Sequence, residues 1–211
     1  MITLLSTVGE TFCKILNDRM RTMVEKEEKI SEGQAGFRPN RSCVDHVYAL
    51  SKMVQGRKDA GRTTYRFFLR AQEAYHTVWR NGFGKKLWEI GVIGKLWRMV
   101  KNMTEYTRSA VMLDGEISRY ADSLQGVAPR CTLSPNLYKE YINDMILAVE
   151  AAKQGVTVRE DTVSGLMFAD DFVGRSEAPE GLQKRIEKAL EYTRNRRVTA
   201  NVETCAVVVL T

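Results

Sequence analysis

Asp170 and Asp171 stand side by side between two short apolar runs, Gly165-Leu166-Met167-Phe168-Ala169 before them and Phe172-Val173-Gly174 after. Two apolar runs that short, interrupted by two charges, predict a hairpin with both carboxylates at its tip. Oxygen ligands fixed close together on a rigid element are what a two-metal phosphoryl transfer requires, because two Mg²⁺ ions about 4 Å apart clamp the attacking and leaving oxygens. Taken alone, an apolar-Asp-Asp turn is more often a solvated hairpin tip than a metal site. The rest of the chain has to decide between the two.

The chain has 211 residues, 44% of them hydrophobic, enough for a real core in one compact domain or two interleaved subdomains. Its formal net charge of +6 favours a phosphate-rich partner. Cys13, Cys43, Cys131 and Cys205 lie far apart, with no pair at zinc-ligand spacing. That pattern reads as reduced thiols in an intracellular compartment, with no zinc. Glu10, Lys14, Asp18 and Arg19 interrupt the apolar opening too early for a signal peptide or membrane span, so no membrane partner is expected.

Ser6 or Thr7 can cap a helix whose apolar stripe is Val8, Phe12, Ile15, Leu16 and Met20. A loop from Glu32 to Ser42 leads to a helical pattern from Val44 to Val54, and Tyr65 to Leu69 reads as a buried strand. A glycine-punctuated helical region spans Leu87 to Met103, with Trp88, Trp97 and Met99 in the core together with Trp79. Asp114-Gly115 is a two-residue hairpin signal, because both residues accept positive φ. After a turn-rich segment from Gln125 to Pro135 come a helix from Leu137 to Val149, the acidic hairpin, an exposed helix from Gly181 to about Asn195, and a strand from Cys205 to Leu210. The mixture is α+β.

Taken in order, Gly36-Phe37-Arg38-Pro39, the strand ending in Ala74-Tyr75, Gln125-Gly126, Leu133-Ser134-Pro135 and Phe168-Ala169-Asp170-Asp171 resemble the reverse transcriptase domain of non-LTR, LINE-type retrotransposons, with wording similar to trypanosome elements. The resemblance covers nearly the whole chain. It implies a right-hand polymerase architecture, with fingers over about residues 1–62 and a palm over about 63–211 that has fingers segments interleaved. The palm would be an antiparallel sheet backed by helices. The chain would stop before the thumb, with no endonuclease domain upstream, as a fragment of an element. The implied partners are an RNA template, a DNA primer and deoxynucleotides, the implied cofactor is Mg²⁺, and the implied compartment is the nucleus. Asp170 and Asp171 match the metal-binding pair. Tyr75 matches the aromatic residue under the incoming sugar, Arg38 a phosphate-neutralising position, and Gln125 and Gly126 further nucleotide-binding positions.

The same resemblance exposes departures. The family's first metal aspartate stands five positions ahead of the aromatic, and counted back from Tyr75 that place is Arg70. A cation there repels what an anion would hold, and one unit pair at about 4 Å is worth roughly 4 kcal/mol at an effective dielectric near 20. Glu73 falls at a different point of the turn and is not expected to replace the lost carboxylate. The family's Pro-Gln-Gly turn is Ala128-Pro129-Arg130 here, so the amide side chain is gone and a side chain stands where glycine allows close approach. Asn201 matches the family's late asparagine, but Thr204 stands where a lysine would protonate pyrophosphate, and a hydroxyl is a poor general acid. His76 replaces an aspartate. The expectation is a reverse transcriptase domain that is catalytically impaired or dead. The alternative is a non-catalytic remnant that binds nucleic acid or protein.

Overall fold

The structure is a computed structural model describing residues 5–128, 131–151, 156–158, 161–163 and 165–211. The chain gathers into two compact units, each made of two separated stretches: residues up to 29 with 75–138, and residues 30–74 with 139–211. In chain order its elements are helices α1 (Thr7–Lys26) and α2 (Cys43–Asp59), strand β1 (Thr64–Arg70), helices α3 (Arg80–Glu89) and α4 (Gly94–Glu105), and short strands β2 (Arg108–Ser109), β3 (Met112–Leu113), β4 (Glu116–Ile117) and β5 (Ala121–Asp122). There follow α5 (Ser134–Ile142), α6 (Asp144–Glu150), β6 (Val156–Val158), β7 (Asp161–Val163), β8 (Gly165–Phe168), β9 (Asp171–Ser176), α7 (Pro179–Asn195) and β10 (Ala206–Leu210).

In the first unit, α1 starts where its cap predicts, with the Ser6 hydroxyl accepting from the Gly9 amide at 3.2 Å. Its buried stripe is rotated from the predicted one. Cys13, Leu16, Asn17, Met20 and Val24 are inside, whereas Val8 is 81% exposed and Phe12 and Ile15 are also on the outside. Asn17 explains the rotation: its Oδ1 accepts from buried Asn136 at 2.6 Å, so a polar residue holds a core position that hydropathy assigns to the surface. The region from Leu87 to Met103 is two helices, broken where Gly91 and Gly94 take positive φ. The tryptophans are not core residues. Trp88 is 59% exposed and meets the half-buried Trp97 edge to face at 5.9 Å, and Trp79 is half-buried. The Asp114-Gly115 hairpin forms as predicted, with φ of 52° and 85° joining β3 to β4.

In the second unit, a four-stranded sheet runs in the order β10-β1-β9-β8, with every neighbouring pair antiparallel. The alternation in β1 sends Phe67 and Leu69 to the buried face, where Phe67 meets Phe172 with ring centroids 5.6 Å apart. Gly174 lies opposite Phe67, and a Cβ there would stand 2.0 Å from its ring. Helix α7 packs on β9, β1 and α6. It is therefore not the exposed helix of the sequence reading, because Leu182, Arg185, Ala189 and Tyr192 form a buried stripe disguised by its arginine. The stretch from Leu137 to Val149 divides at Asn143, whose Oδ1 accepts the Ser31 amide at 2.9 Å. The four cysteines are unpaired thiols. Among the described residues no helix is long and apolar enough to cross a membrane.

Candidate active site

The β8–β9 hairpin closes with Phe168 opposite Asp171, leaving Ala169 and Asp170 as its two-residue turn. Ala169 takes φ 57°, a left-handed conformation that costs a residue with a Cβ about 1 kcal/mol or more, so something must hold it. The holder is Gln34. Its buried side chain accepts from the Ala169 amide at 3.1 Å and from the Gly36 amide at 2.8 Å, and its Nε2 donates to the Ala169 carbonyl at 3.4 Å. The backbone of the same loop borders β8, with Met167 donating to the Gly33 carbonyl at 2.7 Å and Ala35 donating to the Met167 carbonyl at 2.9 Å. Gly36 is there for space, since a Cβ would lie 2.2 Å from the Ala169 nitrogen. Sequence reading passed over Gln34, although an uncharged polar residue two positions before Gly-Phe-Arg-Pro was its visible signal.

Asp170 and Asp171 are both at the tip, with Asp170 the more buried. Burial pushes the Asp170 carboxyl above the usual carboxylate range and the Asp171 charge adds to this, while its own backbone amide and Arg70 oppose it. Arg70 ends β1 as the register partner of Asp171. Its Nε lies 3.6 Å from Asp171 Oδ1 and 3.8 Å from Asp170 Oδ2, ion-pair distances too long for hydrogen bonds. Beside it, the Asn201 amide donates to the Arg70 carbonyl at 2.8 Å, and the Thr204 hydroxyl donates to the Asn201 carbonyl at 3.2 Å. Glu73 is exposed on the following turn, and among the described residues no three His, Cys, Asp or Glu side chains are grouped to hold a metal ion.

Arg38 is turned onto its own loop. Its guanidinium donates to the Ser31 carbonyl at 3.2 Å, the Gln34 carbonyl at 3.3 Å and Glu32 Oε1 at 3.3 Å, which stiffens the segment that grips Ala169.

Tyr75, Gln125 and Gly126 belong to the first unit, where they form one cluster. The Val127 amide donates to the Tyr75 carbonyl at 2.8 Å and the Gly126 amide to the Val78 carbonyl at 2.9 Å. Gly126 has φ 83°, and a Cβ there would come within 2.8 Å of the Tyr75 and His76 carbonyl oxygens. The Tyr75 ring is half-buried, 5.5 Å from that of Tyr138. Arg80 ties the loop down by donating to the carbonyls of Gly126 at 2.9 Å, Gln125 at 3.1 Å and Ser123. An arginine opening a helix reads as surface in the sequence, and nothing there marks it. Arg80→Met should leave the buried Gly126 carbonyl without its donor and release the half-buried Ser123, at a cost of about 1 to 3 kcal/mol read from urea unfolding. Pro129 and Arg130 lie outside the described residues.

Residues 1–210 match the family described as Reverse transcriptase (RNA-dependent DNA polymerase). Among curated proteins, the probable RNA-directed DNA polymerase from transposon X-element of Drosophila melanogaster is 26% identical over 144 residues, covering 68% of this chain and 16% of that protein. The Retrovirus-related Pol polyprotein from type-2 retrotransposable element R2DM of the same fly is 23% identical over 202 residues, covering 96% and 19%. The chain thus spans less than a fifth of these relatives' length. Among solved structures, telomerase from Candida albicans in complex with a fragment of telomeric RNA superposes with a TM-score of 0.70 at 12% identity, over 92% of this chain and 34% of that one. Apo telomerase from Candida tropicalis gives 0.68 at 12%, over 93% and 36%. The fold is the α+β fold of polymerase fingers and palm, and the chain belongs to the reverse transcriptase family, with the polymerases of non-LTR retrotransposons as its kin.

Proposed function

We propose that this chain is a reverse transcriptase fingers-and-palm domain, fingers over about residues 1–62 and palm over about 63–211, whose polymerase chemistry is disabled at the acidic hairpin. The observation that carries the reading is the Arg70 guanidinium between the two carboxylates, 3.6 and 3.8 Å away. In an active palm Mg²⁺ would be held there and would supply the positive charge that phosphoryl transfer needs. Asp170 and Asp171 are the residues to hold it, but a cation already offsets half of their charge, and among the described residues no third carboxylate joins them. Two carboxylates with a built-in counterion do not fit a two-metal centre. Tyr75, Gln125 and Gly126 support retained nucleotide-side geometry, because the turn and the aromatic are bonded into one cluster. The net charge of +6 supports binding of an RNA template and DNA primer without extension.

The test is primer extension on an RNA template with deoxynucleotides and either Mg²⁺ or Mn²⁺. The chain as it stands should yield no product above a heat-inactivated control, while retaining RNA binding that weakens steeply as salt is raised. Extension by the unaltered chain would overturn the reading. Loss of RNA binding even at low salt would leave a scaffold for protein contacts as the surviving role.

A further inference from the structure

Two arginines face each other across the sheet of the second unit, with no ion pair to an acid among the described residues. Arg66 on β1 is the register partner of Arg175 on β9, so both side chains leave the same face, the one under α2. Arg175 is fully buried. Its Nη1 donates to the Met53 sulfur at 2.9 Å, a weak acceptor. Its Nε and Nη2, and the Nε of Arg66, have no hydrogen-bond partner among the described residues. Burial, then the charges of Arg66 and of equally buried Arg185 on α7, push Arg175 down to about 10, which leaves it charged at neutral pH. His46 on α2 is also held down by its burial and by the charges of Arg175 and Arg41, against the pull of Asp45.

Asp171, four residues before Arg175 on β9 and on the same face, is turned to Arg70 at 3.6 Å. Glu177 pairs with Arg57 at 2.7 Å, Asp45 accepts the Ser42 amide at 2.7 Å, and the charge of Glu150 acts on Arg185. A buried guanidinium with open donors is among the costliest arrangements in a protein unless a counterion completes it. A way in exists. A cavity of about 530 Å³ lies between α2 and the same sheet face, next to the two arginines but not lined by them, and it runs from His46, Phe68, Val173 and Val208 to Arg70 and Asp171. Phe68 and Val173 are on the same face two residues along from Arg66 and Arg175, and Val208 is the other register partner of Arg66.

We propose that Arg66 and Arg175, beneath helix α2, form a binding site for a phosphate group. Guanidinium forks present parallel N–H donors that match a tetrahedral oxyanion, and two of them neutralise its double charge. The phosphate has two chemical sources, a free ion or a phosphodiester of a nucleic acid strand. Both arginines stand four residues from the pair Arg70 and Asp171 on the same sheet face, and binding at them is read without primer extension.

The test is thermal melting of the full chain in inorganic phosphate against sodium chloride of equal ionic strength, with Arg175→Met and Arg66→Gln alongside. The wild-type midpoint should rise by roughly 5 °C or more when phosphate exceeds its dissociation constant a hundredfold, and both variants should lose the rise. Arg175→Met should melt higher than wild type in chloride, since its unbalanced charge is gone. Adding a ten-nucleotide RNA at fixed salt distinguishes the sources. An RNA-induced rise that Arg175→Met abolishes assigns the site to phosphodiesters, and a rise with inorganic phosphate alone assigns it to the free ion. If phosphate acts no differently from chloride on the wild type, or shifts all three chains alike, the proposal is overturned. Should Arg175→Met fail to fold, Arg66→Gln decides between the same outcomes.

Discussion

Arg70→Asp, combined with Pro129→Gln, Arg130→Gly and Thr204→Lys, is expected to extend a DNA primer on an RNA template under conditions where the unaltered chain is expected to give no product. The reversal at position 70 carries most of the effect. It exchanges repulsion of a divalent ion for attraction, and a single unit pair at about 4 Å is worth roughly 4 kcal/mol at an effective dielectric near 20. At 1.36 kcal/mol per decade, that alone is about three orders of magnitude in rate. The position is right for it, because Arg70 is the register partner of Asp171 and a shorter acid there would place a third carboxylate beside the pair. A readout independent of turnover is Mn²⁺ binding followed by electron paramagnetic resonance. Arg70→Asp alone should bind the ion at least tenfold more tightly than the unaltered chain, and equal affinities would show that Arg70 is not what blocks the site.

Gly36→Val should be the most damaging single substitution in the second unit. The new Cβ would lie 2.2 Å from the Ala169 nitrogen and 2.8 Å from its Cα, both backbone atoms that cannot swing aside. Either the loop lifts from the hairpin or the hairpin turn moves with it. In both cases Gln34 loses the geometry that holds Ala169 left-handed. A cost of about 3 kcal/mol or more is expected from urea unfolding. Gly56→Ala is the matched control, since nothing lies within 4 Å of a Cβ there and helix propensity should leave stability equal or improved by about 0.5 to 1 kcal/mol. Equal losses at both positions would mean that the loop and the hairpin are not braced against each other.

Much of the second unit was legible because its strands carry local signals. Tyr65 to Leu69 and the apolar runs around Asp170 read as strands from composition alone, and the five-residue offset from Tyr75 singles out Arg70. What hydropathy could not supply was direction. It placed Val8 and Ile15 inside, since it could not see that Asn17 and Asn136 satisfy each other and so can be buried. It placed α7 on the surface, since Arg185 interrupts the apolar stripe of Leu182, Ala189 and Tyr192. It misjudged Trp88 and Trp97, whose bulk argued for a core although they meet edge to face on an outer side. Gln34 and Arg80 were invisible for a related reason. Their importance lies in carbonyl and amide partners far away in sequence, and no local pattern records those.

Helix α2 buries only Met53 and Arg57. Arg57 fastens its last turns, donating to the Thr64 hydroxyl at 2.8 Å, the Thr63 carbonyl at 2.8 Å and Glu177 at 2.7 Å, while the first turns stand over the 530 Å³ cavity. A helix anchored at one end over empty space behaves as a lever. Its amides from Val47 to Leu50 should exchange with deuterium through a local opening well below the cost of global unfolding, and those around Arg57 should keep pace with β1. Exchange of that kind would make the sheet face beneath it a surface that the chain covers and uncovers without unfolding the strands that carry the acidic turn.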